Sequence, residues 1–325
     1  MTHREVCIEP HPQISGVHCV FRKGDAAAEF DASQADTWAA LPRPYIAVVG
    51  GMHGNEPCGR LAIEALAERA RLGALPVQAG TLVLIHANPA AAREGRRHTE
   101  GGTDLNRLFS YSFLENLPLE RWTPEHHRAL ELRPILEELD AALDLHSASA
   151  KTPPFGIVST VLESRPLGRE LGLPYLTHGW EGPGLLGDQV LLNVLTQRNK
   201  PSFAVECGQH DDPQSTQRAH DTAAHFLVAT AVLPPSAAAT PPGHDAIELN
   251  IVDAVKKPSP GFAFHGQLLG LQQIAAGAVV GSDANLEIRC KRASFAIMPN
   301  ASVAVGQDML YLAHQVDPIT FLPPE

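Results

Sequence analysis

Short apolar runs alternate with longer amphipathic segments from about residue 45 to residue 233. The runs "YIAVVGG", "GTLVLIHAN", "AALDLHSAS", "FGIVST" and "PSFAVECG" predict buried β-strands. The segments between them place apolar residues at helical spacing, as in "EPCGRLAIEALAERARLGAL" and "PQSTQRAHDTAAHFLVATAVL". Apolar strands that alternate with helices indicate an α/β fold, with a mainly parallel or mixed sheet and helices on both of its faces.

The pattern differs at the two ends of the chain. The first 40 residues contain "ISGVHCVFRKG", which predicts edge strands of the same sheet. The Pro- and Ala-rich stretch 234–246 is typical of a linker. Beyond it, short apolar runs separated by turn signals predict a small all-β domain. We therefore divide the chain into a large domain over 1–233, a linker over 234–246 and a small β domain over 247–325.

Charge and composition indicate which kinds of binding partner and which cellular location to expect. The formal net charge of −11 argues against nucleic acid or an anionic membrane surface as the main partner. The amino terminus lacks the apolar region of a signal peptide, and no apolar run is long enough to span a bilayer. Five scattered cysteines without a CxxC pair fit reduced thiols. Together these features predict a cytoplasmic protein.

Polar side chains follow the ends of four predicted strands. In open α/β sheets, ligands bind outside the carboxyl ends of the strands, so these side chains are expected to lie at one edge of the sheet. They are His53 and Glu56 after the first strand, Asn88 after the second, Asp144 and His146 in "ALDLHS", and Glu206 in "FAVEC".

Part of this set has the chemistry of a catalytic zinc site. Two histidines and one carboxylate are a common protein contribution to such a site, and the spacing of His53 and Glu56 allows both to reach one ion. His146 can complete the set, with Asp144 as the acceptor of its second ring N–H. Glu206 is then free to act as a general base, which also argues against a protein that only binds its ligand.

A second cluster follows the second strand in the polar loop "RRHTEGGTDLNRLF". It contains Arg96, Arg97, Asn106 and Arg107. Arginine can grip a carboxylate with two parallel hydrogen bonds or stabilise an oxyanion. The position of this loop beside the predicted metal edge favours substrate binding over a merely solvated basic loop.

The segments "GGMHGNEPCG", "NPAA" with "RH" and "DLNRLF", "DLHS" and "VECGQ" occur in this order between Gly50 and Gln209. They resemble the signature segments of the succinylglutamate desuccinylase/aspartoacylase family, zinc-dependent amidohydrolases related to the zinc carboxypeptidases. The resemblance covers most of the first predicted domain. It implies a zinc carboxypeptidase-like fold with a β-rich C-terminal domain, and hydrolysis of the amide bond of a small N-acyl amino acid.

The resemblance also implies a role for each candidate residue. One Zn²⁺ per chain would bind to His53, Glu56 and His146, and Glu206 would activate water. Asn106 and Arg107 would hold the α-carboxylate of the acylated amino acid.

The resemblance further implies that an arginine upstream of "DLNR" polarises the scissile carbonyl. The loop is longer here than in the family, and His98 stands where an aromatic residue is expected. Arg97 is our preferred choice for this role, and Arg96 is the alternative.

Family members use a further arginine and a C-terminal tyrosine to recognise a distal carboxylate on the acyl group. The candidates here are Arg165, Arg169, Arg198 and Tyr311. Without such a cation, the acyl group is expected to be acetyl or another small neutral group.

Three other residues near the predicted edge have simpler explanations. Cys207 is expected to be buried, because it points away from the face that carries Glu206. His178 and His210 lie near the edge and could contact substrate, although an ordinary hydrogen-bonded histidine is the default for each. A zinc carboxypeptidase acting on a short peptide is the alternative function, and the sequence leaves a homo-oligomer open.

Overall fold

The structure is a computed structural model, and it describes residues 5–22, 24–25, 40–182, 185, 187–240 and 245–316. Within these ranges the regular elements follow one another as strands and helices over most of the chain, and strands alone form the last part. The strands are β1 (Val6–Pro10), β2 (Val17–Arg22), β3 (Tyr45–Gly50), β4 (Thr81–His86), β5 (Ala141–Ala148), β6 (Phe155–Val158), β7 (Tyr175–His178), β8 (Ser202–Gln209), β9 (Ile247–Lys256), β10 (Ala263–Phe264), β11 (Gln273–Ile274), β12 (Val279–Ser282), β13 (Glu287–Arg289), β14 (Ser294–Ile297) and β15 (Asp308–Gln315). The helices are α1 (Pro57–Arg71), α2 (Pro89–Glu94), α3 (Phe113–Asn116), α4 (Pro124–Glu138), α5 (Ser164–Arg169), α6 (Leu191–Thr196) and α7 (Ser215–Ala229).

A twelve-stranded mixed sheet runs through the molecule in the order β1-β2-β4-β3-β5-β8-β6-β7-β9-β15-β14-β11. Its central strands β4, β3, β5 and β8 are parallel, and β6 pairs antiparallel with β8. One apolar cluster packs α1 and α7 against one face, and a second packs α4 and α6 against the other. The predicted fold class, a mixed sheet with helices on both faces, is therefore confirmed.

The predicted edge strands are confirmed, since β1 forms the edge of the sheet and pairs with β2. Strand β7 was not predicted. It extends over only four residues, "YLTH", which is too short to show a clear period. Its position matters, because β9 pairs in parallel with β7 and so joins the later strands to the main sheet.

The chain after the predicted linker forms strands, as expected. Strands β9, β15, β14 and β11 extend the large sheet, and β10, β12 and β13 form a separate three-stranded sheet. Pro235–Ala237 of the predicted linker form one 3-10 turn, and 241–244 lie outside the described residues. The boundaries of the three predicted segments stay a prediction. Across the described ranges, every helix is too short or too polar to cross a bilayer.

Helix α4 begins at a capped first turn. Thr123 is its N-cap and Pro124 occupies the first turn, where a missing N–H costs nothing. The side chain of His126 reaches back to the N–H of Thr123 at 3.0 Å and completes a capping box. This start orients the first turn of α4 towards the polar loop described below.

An ion cluster around the buried Glu248 connects α5 to β9. Glu248 is 2% exposed and accepts hydrogen bonds from Arg165 Nε at 2.9 Å and Arg169 Nε at 2.8 Å. Each arginine also reaches Glu248 through Nη2, and His178 Nε2 lies 3.2 Å from the same carboxylate. Although burial opposes ionisation, the two guanidinium groups hold the pKa of Glu248 below its usual value.

Glu248→Gln should destabilise the protein by about 3 kcal/mol, because it leaves two arginines beside a buried neutral amide. Urea unfolding measures this loss. Glu138→Gln is the matched control, since Glu138 pairs with Arg43 at 2.6 Å on the surface, with both side chains about half exposed or more. It should cost less than about 1 kcal/mol. Equal effects of the two variants would contradict the structural role of Glu248.

His86 should make stability depend on pH. Its Nε2 is buried and has no hydrogen-bond partner among the described residues, and burial and then the Arg60 charge lower its pKa from 6.5 to about 4. Between these two pH values, His86 is protonated in the unfolded chain but not in the folded protein. The free energy of unfolding therefore falls as the pH drops from about 6.5 to about 4.

Urea unfolding at pH 7 and pH 5, in wild type and His86→Asn, isolates this contribution. The wild type should lose more stability than the variant, by less than about 1.4 kcal/mol per pH unit, because part of the ring stays in contact with water. An equal loss in both proteins would show that His86 does not contribute.

Candidate metal centre and active site

The turn between β3 and α1 carries the first two predicted metal ligands. This turn is pressed against neighbouring backbone on two sides. A Cβ at Gly50 would lie 2.3 Å from the carbonyl carbon of Gly59, and one at Gly54 would lie 2.1 Å from that of Ala91. Only glycine fits at these two positions, which is why a strand can end and a helix begin within so few residues.

The predicted ligands His53, Glu56 and His146 come together at the carboxyl ends of β3 and β5. They are 3%, 4% and 4% exposed, and one potential ligand atom from each lies within 4.8 Å of the other two. His53 Nδ1 is 2.8 Å from Glu56 Oε1, and His146 Nδ1 is 3.0 Å from Glu56 Oε2. The carboxylate thus lies between the two rings.

The outer nitrogen of each ring contacts a further carboxylate. His53 Nε2 is 2.9 Å from Asp104 Oδ1, and His146 Nε2 is 2.8 Å from Asp144 Oδ2. Because an ionised carboxylate only accepts, each Nε2 carries the hydrogen and each Nδ1 turns its lone pair to Glu56. The sequence predicted the Asp144 contact, whereas it did not point to Asp104.

This geometry needs positive charge between the rings and Glu56. Burial opposes protonation of His53 and His146, yet the surrounding carboxylates outweigh it and raise the pKa of both rings. Two added protons or one cation would therefore satisfy the cluster. Two imidazole nitrogens and a carboxylate are a donor set that zinc accepts, so these residues fit a bound Zn²⁺.

Glu206 lies beside this cluster at the end of β8, in register with His146 on β5. It is 5% exposed, and its Oε2 is buried without a hydrogen-bond partner in the described part of the chain. Burial, and then the negative charge of Glu56, raise the pKa of Glu206 to about 7. A buried carboxyl group in this state can exchange a proton near neutral pH.

Arg97 reaches the cluster from the polar loop. Its Nε and Nη2 donate to Asp104 Oδ2 at 3.1 and 2.8 Å, and its Nη1 lies 3.5 Å from Glu56 Oε1. Arg96 turns away and pairs with Glu100, with both side chains at least half exposed. Of the two arginines considered for the scissile carbonyl, the structure brings Arg97 to the predicted metal site.

Glu125, in the first turn of α4, holds this loop in place. Its Oε1 accepts from the N–H of Thr99 at 2.8 Å, and its Oε2 accepts from Thr99 Oγ1 and the N–H of Thr103 at 3.2 Å each. A Cβ at Gly102 would lie 2.5 Å from the same Oε2. Nothing in the sequence pattern singled out Glu125, because its loop partners are two backbone N–H groups and a threonine hydroxyl.

Asn106 and Arg107 lie in a 3-10 turn next to Asp104. Asn106 is buried, and its Oδ1 accepts from the N–H of Leu191 at 2.9 Å. Arg107 donates from Nη1 to Asn106 O at 2.8 Å, and its side chain keeps 30% of its surface exposed. The guanidinium of Arg107 can therefore still receive a carboxylate.

The candidates for a distal carboxylate are engaged elsewhere. Arg165 and Arg169 both form ion pairs with Glu248, as described above. Arg198 lies 3.2 Å from Glu137. Tyr311 donates to Asp308 at 3.2 Å and packs against Trp180 in an apolar cluster.

The three remaining residues lie as follows. Cys207 is fully buried in the cluster under α1 and α7, as expected, and contact with the Cys58 thiol and burial raise its pKa well above the usual range. A thiol in that state is a poor nucleophile. His178 belongs to the Glu248 cluster, whereas His210 lies close to the site and contacts Ser147.

Known proteins resemble this chain in sequence and in fold. A sequence model described as the succinylglutamate desuccinylase/aspartoacylase catalytic domain matches residues 42–167. This range contains the predicted site residues before Glu206. Over this range the chain is similar to the catalytic domain of the succinylglutamate desuccinylase/aspartoacylase family.

Curated relatives match parts of the chain. The human N-acyl-aromatic-L-amino acid amidohydrolase (carboxylate-forming) is 39% identical over 121 residues, which is 34% of this chain and 35% of that one. A probable aspartoacylase from Acaryochloris marina is 33% identical over 175 residues, or 50% and 54% of the two chains. The matches thus span about a third to a half of the relatives' length.

Several solved structures share the fold over nearly the whole chain. The succinylglutamate desuccinylase from Vibrio cholerae has a TM-score of 0.69 at 18% identity and covers 96% of this chain and 91% of its own. The product-bound ectoine utilization protein EutE (DoeB) from Ruegeria pomeroyi has a TM-score of 0.67 at 17% identity, with 95% and 98% covered. At these identities the likeness concerns the fold.

Proposed function

We propose that this protein is a zinc-dependent hydrolase that cleaves the amide bond of a small N-acyl amino acid. The observation that carries the proposal is the His53–Glu56–His146 cluster with Glu206 beside it, whose buried Oε2 has no hydrogen-bond partner among the described residues. The names of the curated relatives, which include an aspartoacylase and N-acyl amino acid amidohydrolases, support the same class of substrate. A cytoplasmic location stays a prediction.

His53, Glu56 and His146 would hold one Zn²⁺, which when bound supplies Lewis acidity to the scissile carbonyl and to water. Glu206 takes a proton from the attacking water and passes it to the leaving nitrogen, so that amide and water become carboxylate and amine. Its pKa of about 7 suits both steps.

Arg97 stabilises the negative charge that develops on the carbonyl oxygen. Asp104 holds two of its guanidinium nitrogens, so the group is already oriented before substrate arrives. Asn106 and Arg107 are the proposed site for the α-carboxylate. The partly exposed guanidinium of Arg107 offers donors to it, and the fixed amide of Asn106 shapes that side of the site.

We further propose that the acyl group is acetyl or another small neutral group. Arg165 and Arg169 share Glu248, and Arg198 contacts Glu137, so each of these candidates already has a carboxylate partner within the chain. Succinyl-amino acids should therefore be poorer substrates than their acetyl counterparts.

Metal analysis of the native protein and a panel of acetyl-, succinyl- and formyl-amino acids test the proposal. We expect about one zinc per chain and turnover of the acetyl compounds. C-terminal dipeptides belong in the same panel, since their preferential hydrolysis would indicate a carboxypeptidase instead. Absence of a stoichiometric divalent metal would remove the central claim.

A further inference from the structure

His210 links the ends of the two strands that carry His146 and Glu206. Its Nδ1 lies 2.9 Å from Ser147 Oγ, and its Nε2 lies 3.4 Å from Ser149 Oγ. Its backbone N–H donates to Ala148 O at 3.0 Å. All three contacts run from the segment after β8 to the end of β5. They join the metal side of the site to the general-base side.

Ser147 connects this link to Glu56. It is 2% exposed, and its backbone N–H donates to Glu56 Oε2 at 3.2 Å. The same oxygen lies 3.0 Å from His146 Nδ1. Because His210 holds the Ser147 hydroxyl, it limits the movement of the N–H that orients the Glu56 carboxylate.

We propose that His210 is a positioning residue, which acts through Ser147 to hold Glu56 in the orientation that binds the metal. The inference rests on the proposed function for its kinetic readout. Its metal-binding readout is independent of which amide, if any, is hydrolysed. Residues that orient a ligand in this way commonly contribute about 10- to 100-fold to metal affinity or activity.

The test compares wild type, His210→Ala, His210→Asn, Ser147→Ala and the double alanine variant. Affinity for Zn²⁺ is measured by competition with a chromogenic chelator, and kcat and KM on an acetyl-amino acid. His210→Ala and Ser147→Ala should each lower zinc affinity and kcat by about tenfold, with KM within about threefold of wild type. His210→Asn should retain most of both, because its amide can still reach the Ser147 hydroxyl.

The double alanine variant should lose no more zinc affinity or kcat than the more impaired of the two single variants, because both substitutions break the same link. Additive losses would overturn the proposal. So would a loss confined to KM, which would indicate direct contact with substrate. Ser147→Ala removes a single oxygen, so an unchanged zinc affinity in this variant would overturn the inference even if His210→Ala fails to fold.

His220→Asn is the matched control. It lies on α7, where its charged neighbours are Asp221 and Arg69, and it should leave zinc affinity and kcat unchanged. If wild type binds zinc but hydrolyses no amide, the proposed function fails. The zinc affinities of the His210 and Ser147 variants still decide the inference in that case.

Discussion

Glu206→Gln should lower kcat by about 10²- to 10⁴-fold while the protein still binds zinc. The amide has nearly the same shape as the carboxylate but cannot accept the proton of water. The wild-type group is buried, and its Oε2 has no partner among the described residues, so the substitution breaks no hydrogen bond at that atom. Steady-state kinetics and metal analysis of the same preparation measure the two effects.

Thermal unfolding provides the check on Glu206→Gln. Removing a charge that lies beside Glu56 should leave the folded state as stable as before or more stable, since burial and that repulsion both raise the pKa of Glu206. A variant that folds, binds zinc and turns over at the wild-type rate would exclude Glu206 as the base.

Asp104→Asn should lower both zinc affinity and kcat, each by about 10- to 100-fold. Asp104 accepts from His53 Nε2 and from two nitrogens of Arg97, and despite burial these groups hold its pKa well below the usual range. The neutral amide is therefore expected to loosen both the proposed metal ligand His53 and the proposed oxyanion-stabilising Arg97.

Asp144→Asn is the matched comparison for Asp104→Asn. Asp144 is fully buried and contacts His146 in the same way, but its described contacts do not include Arg97. Its variant should lose zinc affinity to a similar extent. At saturating zinc it should recover kcat, whereas Asp104→Asn should stay slow. If both recover fully, Asp104 does not orient Arg97.

The sequence predicted the position of those site residues that lie at the carboxyl ends of strands. His53, His146 and Glu206 lie far apart in the chain, but each follows an apolar run. The carboxyl ends of adjacent parallel strands lie at one edge of the sheet. The proximity of these three residues was therefore predictable without knowing the loop conformations. Asp144 was predictable from its place two positions before His146 on the same strand.

Other features depend on tertiary contacts that no local pattern specifies. Asp104 belongs to the "DLNR" segment, yet its contact with His53 requires the path of a long polar loop. Glu125 looks like an ordinary acidic residue in a first helical turn, although it binds that loop. Arg165 and Arg169 were reasonable candidates for substrate until Glu248, about 80 residues later, was found between them.

The contact between Gly54 and Ala91 has a consequence for how the site works. It presses the turn that bears the metal ligands against α2, the helix that leads into the Arg97 loop, backbone against backbone. The turn and α2 cannot separate without opening a packed interface. Glu125 holds the loop beyond α2 in place by accepting hydrogen bonds from the loop backbone. This half of the proposed active site is therefore preorganised, and we expect substrate binding there to require little reorganisation energy.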